Sequence, residues 1–401
     1  MNRYDRRGIC ATEKAKICRP GVCRSDFLGS EVRILNAEIK VTVIMPIYNA
    51  YEYLRPALDS ILDQTLREIE VICIDDGSTD HTLELLKEYQ KRDERVRIVT
   101  ENNAGPSIAR NKGIVRARGE YTIFLDADDF YELDLLESLV ALADERSLDI
   151  AIADYDMYND KQARFEKSID GESSVGTDEG DIISGSVYPD SIFQSTTGYV
   201  WNKLFRTSFI RDKQLIFSPE LYVFEDVYFV ITSMAMASRV GKIKRVLLHH
   251  RIYSNQSRPK LFKKYFDRIP LVYLKIKDFL TAKGVYIPFS RSFLNVSASR
   301  CYKVYNLLWH DAKGRFWDLL HSGAADSLGW LAYDQSEFDD PAVCEFVANV
   351  GLYTHAQYAK IEGKASDGAD HLSASRLQKR IKRAQQRKKL AAFFAKFKRK
   401  K

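Results

Sequence analysis

The sequence predicts an α/β fold in which a mainly parallel, Rossmann-like sheet flanked by helices is followed by a helical C-terminal region. The first observation is that short apolar runs alternate with segments whose apolar residues recur at helical spacing. The second is that each run is continuously apolar, as in parallel strands buried on both faces. The third is that polar clusters follow the runs, at the sheet edge where such folds bind ligands.

Five strands and four helices account for the alternation in residues 41–153. The predicted strands are Val41–Met45, Glu70–Ile74, Val96–Val99, Tyr121–Leu125 and Asp149–Ala153. The predicted helices are Tyr53–Leu62, Thr82–Tyr89, Pro106 to Gly119 and Leu133–Leu142. Pro106 suits a first helical turn and Gly119 suits the residue that follows a helix, so the third helix has signals at both ends.

Pattern and composition divide the 401-residue chain into four parts. We expect an N-terminal extension at 1–40, an α/β domain at 41–255, a helical region at 256–370 and a basic tail at 371–401. Hydrophobic residues make up 45% and charged residues 29%, as in globular proteins. Because the N-terminal residues lack the apolar run of a signal peptide, we expect a cytoplasmic protein.

The net charge of +6 belongs to the tail, because Arg376 to Lys401 holds thirteen Lys or Arg and no acidic residue. Leu390, Phe393 and Phe397 lie at helical spacing with Lys and Arg between them. A basic amphipathic helix of this kind suits the anionic inner face of a membrane, and a solvated basic tail is the alternative. No pattern typical of nucleic-acid recognition is present, so we predict no nucleic-acid partner.

The most informative polar cluster is Asp126-Ala127-Asp128-Asp129, which follows the fourth strand run. Neighbouring carboxylates repel one another unless a cation joins them. Mg²⁺ and Mn²⁺ prefer oxygen ligands, and a metal shared with a diphosphate would offset the charge of that leaving group. The alternative is a solvated acidic turn that caps the next helix. The preceding apolar strand and the similar clusters after other strands favour the metal site.

Two further acidic clusters are candidates for chemistry. Asp75 and Asp76 follow the second strand, where a carboxylate could accept hydrogen bonds from a base or a ribose, although the same residues also suit an ordinary turn. Glu225 and Asp226 stand among aromatic residues, and partial desolvation would raise a carboxyl pKa toward that of a general base. A surface pair at a helix N-terminus is the alternative for Glu225 and Asp226.

Three other sites are weaker candidates. Arg110 on the third helix could contact phosphates, or it could be a solvated helix charge. A platform for the acceptor sugar could be formed by consecutive residues, namely Trp201, Asn202 and Lys203. Core packing is the alternative for that platform. His250 could occupy a metal position, although a histidine in such a position is more often structural.

Six segments match one family together, in order and spacing, over residues 40–255. They are Val43–Asn49, Asp75–Asp80, Asn103–Asn111, Asp126–Asp129, Trp201–Leu204 and Phe224–Asp226. The chain therefore resembles the inverting family 2 glycosyltransferases of the GT-A fold. The match is specific for the family and the fold, and it says little about the sugar.

The resemblance implies roles for individual residues. The donor site would comprise Pro46, Tyr48, Asn49, Asp75, Asp76, Arg110, Asp126 and Ala127. In that site Asp75 would bind uracil or an equivalent base, and Asp128 would hold Mn²⁺ or Mg²⁺. Asp226, with Glu225 beside it, would deprotonate the acceptor hydroxyl, which then attacks the anomeric carbon and inverts its configuration.

The implied function is transfer of a sugar from a nucleotide-sugar, with UDP favoured by the resemblance alone, to a carbohydrate or lipid-linked acceptor of the cell surface. The Gln-x-x-Arg-Trp motif of processive synthases is absent after Asp226, which favours the non-processive branch. One alternative is an inactive membrane scaffold of the same fold, against which the intact Asp126, Asp128 and Asp226 argue. Another is a nucleotidyltransferase, but no Gly-rich basic loop follows the first strand. The sequence predicts no oligomeric state.

Overall fold

The computed structural model of the chain describes residues 38–167, 181–253 and 264–366. The predicted tail at 371–401, with its membrane-binding helix, lies outside these ranges. Nearly all of the predicted extension at 1–40 lies outside them as well. From Ile39 onward the described residues belong to one compact unit.

Nine strands in the described residues form one sheet. They are β1 (Val41–Ile47), β2 (Ile69–Asp75), β3 (Val96–Thr100), β4 (Tyr121–Phe124), β5 (Phe130–Tyr131), β6 (Ile150–Asn159), β7 (Arg164–Glu166), β8 (Lys203–Arg206) and β9 (Val240–Ile252). The order across the sheet is β3-β2-β1-β4-β8-β6-β9-β5, and β7 pairs with β6.

The predicted α/β class is confirmed, and its parallel part is the first half of the sheet. Strands β3, β2, β1 and β4 are parallel neighbours, because a helix carries the chain back before each new strand. Strand β8 runs antiparallel to both β4 and β6, whereas β6 and β9 are parallel. The sheet as a whole is therefore mixed.

Twelve α-helices surround and extend the sheet within the described ranges. They are α1 (Tyr51–Leu62), α2 (Thr82–Arg92), α3 (Pro106–Arg116), α4 (Leu135–Glu145), α5 (Thr207–Asp212), α6 (Glu225–Met236), α7 (Ile269–Ala282), α8 (Ser290–Leu307), α9 (His310–Leu319), α10 (Ala325–Leu328), α11 (Pro341–Leu352) and α12 (His355–Ser366). A π-helical turn, Leu320–Ala324, joins α9 to α10. No helix among the described residues is both long enough and apolar enough to cross a bilayer.

Helix α3 ends at Arg116, three residues before the predicted end at Gly119. The Gly119 N–H donates to the Thr42 hydroxyl oxygen at 2.9 Å. A Cβ atom at Gly119 would lie only 2.5 Å from the Thr42 backbone nitrogen. Gly119 therefore allows the chain to pass close to β1, and it does not terminate the helix as predicted.

Alternate residues of β1 enter two different cores, as the period of a strand requires. Val43 and Met45 pack with α1, α2 and α4 on one face of the sheet. Ile44 belongs to the core on the other face, together with Phe124 of β4 and Trp317 of α9. The C-terminal helices thus share a continuous hydrophobic core with one face of the sheet.

Candidate active site

The loops after β1 and β2 are fastened to each other at the carboxyl edge of the parallel strands. The Asn49 side-chain oxygen accepts from the Thr79 N–H at 2.8 Å, and the Asn49 N–H donates to the Ser78 hydroxyl at 3.0 Å. Asn49 has a left-handed φ of 50°, which asparagine tolerates better than most residues. Asn49 therefore shapes the loop, while its neighbour Tyr48 is half exposed and Pro46 is partly buried.

The two carboxylates after β2 have different surroundings. Both Asp76 oxygens accept backbone N–H groups of the next loop, from Ala104 at 2.6 Å and Gly105 at 2.8 Å. Asp75 accepts the Ser78 N–H at 3.3 Å. Asp76 therefore holds the loop that begins α3, so Asp75 is the better candidate of the two for a ligand hydrogen bond.

The acidic cluster predicted after β4 is present. One carboxylate oxygen from each of Asp126, Asp128 and Asp129 lies within 4.8 Å of the other two. Oxygens of this kind suit a hard divalent cation such as Mg²⁺ or Mn²⁺, so the donor set fits the metal that the sequence predicts. A cation between these oxygens would offset their mutual repulsion.

Burial and the neighbouring charges disfavour the ionised form of the Asp128 carboxyl. Burial, together with the charges of Asp129 and Asp126, raises the pKa of the Asp128 carboxyl to about 7, whereas His250 opposes the rise. The Tyr253 hydroxyl donates to the Asp128 carboxylate at 3.0 Å. Sequence reasoning missed Tyr253, because no motif marks a tyrosine at the end of β9.

His250, the predicted second metal ligand, lies behind this cluster on β9. Its Nδ1 is 3.0 Å from the buried Asp129 carboxylate, and its ring stacks on Trp201 with the centroids 5.4 Å apart. The three-carboxylate group among the described residues does not include His250. A carboxylate at Nδ1 is the usual orienting partner of a ligating histidine, and the ligand role of His250 stays a prediction.

Arg110 lies between the donor side and the base side of the site, and it is only 6% exposed. Its Nη1 donates to Glu225 at 2.7 Å and its Nη2 donates to Asp126 at 3.1 Å. The guanidinium also lies over the Phe217 ring, 5.3 Å from the centroid. Arg110 was predicted to contact phosphates, but the structure directs its Nη atoms to two carboxylates. Sequence reasoning missed this link because the partners are far apart in the chain.

Glu225 and Asp226 form the first turn of α6, where a helix N-terminus favours negative charge. Glu225 is buried against Arg110, whereas Asp226 is partly exposed and its carboxylate accepts the Val227 N–H at 2.8 Å. The residue before them, Phe224, has a left-handed φ of 60°, which is strained for a bulky side chain. Asp226 is therefore the more accessible of the two predicted bases.

The structure contradicts the predicted acceptor platform, because its three residues are buried. Trp201 is only 3% exposed, and its ring stacks on Tyr199 at 4.9 Å as well as on His250. Asn202 donates to the Ala153 carbonyl at 2.8 Å and accepts from the Lys203 amine at 2.7 Å. A sugar platform needs an exposed ring face, so these three residues instead support the floor of the site from within the core.

Comparison with known proteins decides the family. Residues 42–239 match the model of "Glycosyl transferase family 2". These residues are a family 2 glycosyltransferase domain. The glycosyltransferase domain contains every site residue described above except His250 on β9 and Tyr253 directly after β9, and these two extend the site beyond the matched range.

Individual relatives agree with the family. EpsH of Bacillus subtilis strain 168 is 32% identical over 233 residues, which cover 57% of this chain and 65% of EpsH. The glycosyltransferase GlyA of Streptococcus pneumoniae serotype 4 is 32% identical over 222 residues, which cover 54% of this chain and 30% of GlyA. The chain thus spans less than two thirds of either curated relative.

A solved structure supports the fold of the glycosyltransferase domain together with much of the helical region. The crystal structure of S. aureus TarS 1–349 in complex with UDP-GlcNAc aligns with a TM-score of 0.65 and 20% identity. The alignment covers 83% of this chain and 93% of that one. The similarity therefore extends past residue 255 into the C-terminal helices, as one GT-A-like fold.

Proposed function

We propose that this protein is an inverting glycosyltransferase that moves one sugar from a nucleotide-sugar to an acceptor hydroxyl. The observation that carries the proposal is the meeting, at one sheet edge, of the three-carboxylate cluster and the Glu225–Asp226 pair, with Arg110 bonded to both. A donor held at the cluster would face a base on α6. The family match of residues 42–239 supports the same reaction class.

The donor we propose is a UDP-sugar. Asp75 would accept a hydrogen bond from the base, and the half-exposed Tyr48 ring beside it would cover the base. The Asn49–Thr79 and Asp76–Gly105 hydrogen bonds fix the loops on either side of that pocket. TarS, whose fold is similar, has been crystallised in complex with UDP and with UDP-GlcNAc, which supports this donor class.

The divalent metal we propose, Mn²⁺ or Mg²⁺, would be held by Asp128 with the support of Asp126 and Asp129. When bound, such a metal neutralises the diphosphate charge that develops as the nucleotide leaves. Tyr253 fixes one Asp128 oxygen through its hydroxyl, which limits how the carboxylate can rotate. Asp129 accepts from the Arg251 backbone N–H at 2.9 Å, so β9 holds the far side of the cluster.

Asp226 would act as the base that accepts the proton of the attacking hydroxyl. It is partly exposed at the start of α6, while Glu225 next to it is held by Arg110. Because Arg110 fixes Glu225, it also fixes the first turn of α6 and the position of Asp226. The acceptor hydroxyl would attack from the face opposite the nucleotide, so the anomeric configuration inverts.

The acceptor we propose is a carbohydrate or lipid-linked molecule used in cell-surface synthesis, and the transfer is non-processive. The protein would work at the inner face of a membrane, with the basic tail contributing to attachment. Deleting residues 376–401 should then move the protein from the membrane fraction to the soluble fraction. Unchanged partitioning would show that the tail is merely solvated.

The test of the function is a thermal-shift screen against UDP-, GDP- and dTDP-sugars, with and without Mn²⁺, followed by donor hydrolysis and transfer assays. A ligand at about a hundred times its dissociation constant stabilises a protein by roughly 2.7 kcal/mol. We expect a metal-dependent shift with a UDP-sugar. Binding without turnover would support the inactive scaffold, and no shift with any nucleotide-sugar would refute the proposed donor site.

A further inference from the structure

The turn between α8 and α9 exposes two large apolar side chains to solvent. Leu307, the last residue of α8, is 74% exposed, and Trp309, which precedes α9, is 41% exposed. Leu308 between them is buried and anchors the turn. Single exposed apolar residues are common, but a Leu and a Trp together on a rigid turn mark an interaction site more often.

Cationic side chains surround this turn. Lys303 is exposed one helical turn before Leu307, so the two share a face of α8. Lys313 lies one turn after Trp309, and the exposed Arg315 has its guanidinium 5.2 Å from the centroid of the Phe266 ring. Between positions 303 and 315 the sequence has three Lys or Arg and one acidic residue. We call Lys303, Leu307, Trp309, Lys313 and Arg315 the Trp309 surface.

A series of ring contacts joins the Trp309 surface to the loop that begins α3, beside the proposed donor site. The Trp309 ring meets the Phe266 ring edge-on, with the centroids 5.6 Å apart. Tyr265, which precedes Phe266 in the chain, has its ring centroid 6.3 Å from that of Tyr222. Tyr222 is more than half exposed, and a Cβ atom on Gly105 would lie 3.5 Å from its ring. Gly105 donates its N–H to Asp76, so the contacts reach the proposed donor site.

We propose that the Trp309 surface docks on an anionic lipid surface and so brings the proposed donor site close to it. Tryptophan is enriched where membranes meet water, and leucine prefers the acyl boundary, whereas Lys and Arg are attracted to acidic headgroups. Only the purpose of docking, which is to give the active site access to a lipid-linked acceptor, rests on the proposed function. Docking itself does not require catalysis.

Charge complementarity selects this occupant over two others. The tail at 376–401 carries thirteen Lys or Arg, so it would repel the cationic rim of the Trp309 surface. A second copy of the same surface would bring like charges together. A carbohydrate chain is also a poor occupant, because its hydroxyl groups need hydrogen-bonding partners and the Leu307 side chain has none.

The four tryptophans of the chain provide a selective test, because Trp201, Trp317 and Trp330 are buried and Trp309 is exposed. The full-length protein is mixed with phosphatidylcholine vesicles, with or without about 30% phosphatidylglycerol, whose acyl chains carry bromine as a fluorescence quencher. We expect quenching by the anionic vesicles that is larger than with the neutral ones. The quenching should disappear in Trp309→Phe, whose other tryptophans stay buried.

Partitioning of variants provides the second measurement. Because both apolar side chains would leave water on docking, Leu307→Ser with Trp309→Ser should weaken vesicle binding by about tenfold or more. The matched control is Val115→Ser, because Val115 is 78% exposed at the far end of α3 from Gly105. That control should bind as wild type does.

Several outcomes would overturn the proposal. The protein could bind vesicles through the tail while Trp309 remains unquenched, or it could fail to bind them at all. Trp309 could also be shielded from acrylamide without vesicles, which would mean that the tail or a second copy covers it. If the wild-type protein showed vesicle-dependent quenching of Trp309 but no transfer activity, the proposed function would be refuted and the docking surface would be retained.

Discussion

The Arg110 guanidinium donates to the Glu225 carboxylate at 2.7 Å inside the protein, 115 residues away in sequence. The same guanidinium reaches Asp126 at 3.1 Å. One cation thus joins the loop after β4 to the first turn of α6. Coulombic attraction to Asp126 and Glu225 raises the Arg110 pKa against the effect of burial, which lowers it. The two carboxylates therefore keep the buried guanidinium charged.

Replacing Arg110 by Gln should destabilise the protein and abolish transfer. Removing one partner of a buried ion pair leaves uncompensated charge and costs about 3–5 kcal/mol. Chemical denaturation would measure the free energy of unfolding. Arg116→Gln on the exposed end of the same helix should cost less than about 0.5 kcal/mol. Equal losses for the two variants would contradict the central role of the Arg110 bridge.

The stability of the protein should fall between acidic and neutral pH because of Glu225. Burial raises the pKa of its carboxyl to about 7 from an ordinary value of 4.5, with Arg110 opposing the rise and Asp226 adding to it. The folded state therefore binds more protons between these values, and stability present below pH 4.5 is lost as the pH rises through 7. Glu225→Gln should show a smaller drop in melting temperature between pH 5 and pH 8 than the wild type. A drop of the same size in both would exclude Glu225 as the titrating group.

Asp226→Asn should fold normally and lose transfer activity. The Asn side-chain oxygen can still accept the Val227 N–H that holds Asp226 at 2.8 Å, but the amide cannot accept a proton from the acceptor. General-base catalysis contributes about 100-fold or more, so kcat should fall by at least that factor. The exposed Asp311→Asn serves as the control and should keep full activity. A folded Asp226→Asn variant with full activity would end the assignment of the base.

Asp128→Asn should separate metal binding from folding. The substitution removes one of three crowded carboxylates, so in EDTA the melting temperature should equal or exceed that of the wild type. The increase in melting temperature that Mn²⁺ produces should be smaller than in the wild type, because a carboxylate ligand is lost. Asp212→Asn, at the exposed last residue of α5, should leave both values unchanged. If Mn²⁺ stabilised Asp128→Asn as strongly as wild type, the cluster would not be the metal site.

The parallel half of the sheet was predictable because its strands are short continuous apolar runs separated by helices. The five predicted strands all form, four of them within two residues at each end, whereas β6 continues six residues past the predicted end at Ala153. Strand β5 has only two residues, and β8 begins with Lys203 and ends with Arg206, so neither forms a continuous apolar run and neither was predicted. The end of α3 was misjudged because a glycine that permits close packing resembles a glycine that ends a helix.

Within the site, the sequence could supply residues but not their surroundings. The strand-end rule located Asp75 and the Asp126–Asp129 cluster, because the ends of parallel strands must meet. No local pattern could show that Trp201 would be enclosed by Tyr199 and His250, or that Arg110 would face Glu225. Those outcomes depend on pairings between distant parts of the chain.

The hydrophobic core shared by Ile44, Phe124 and Trp317 has a consequence for engineering. A chimera that exchanged the C-terminal helices for those of a relative, in the hope of changing the acceptor, would leave the inner faces of β1 and β4 against a surface of the wrong shape. A change of side-chain volume on one side of this core would therefore need a compensating change on the other side. An exposed side chain such as Tyr222 can instead be exchanged without disturbing this core.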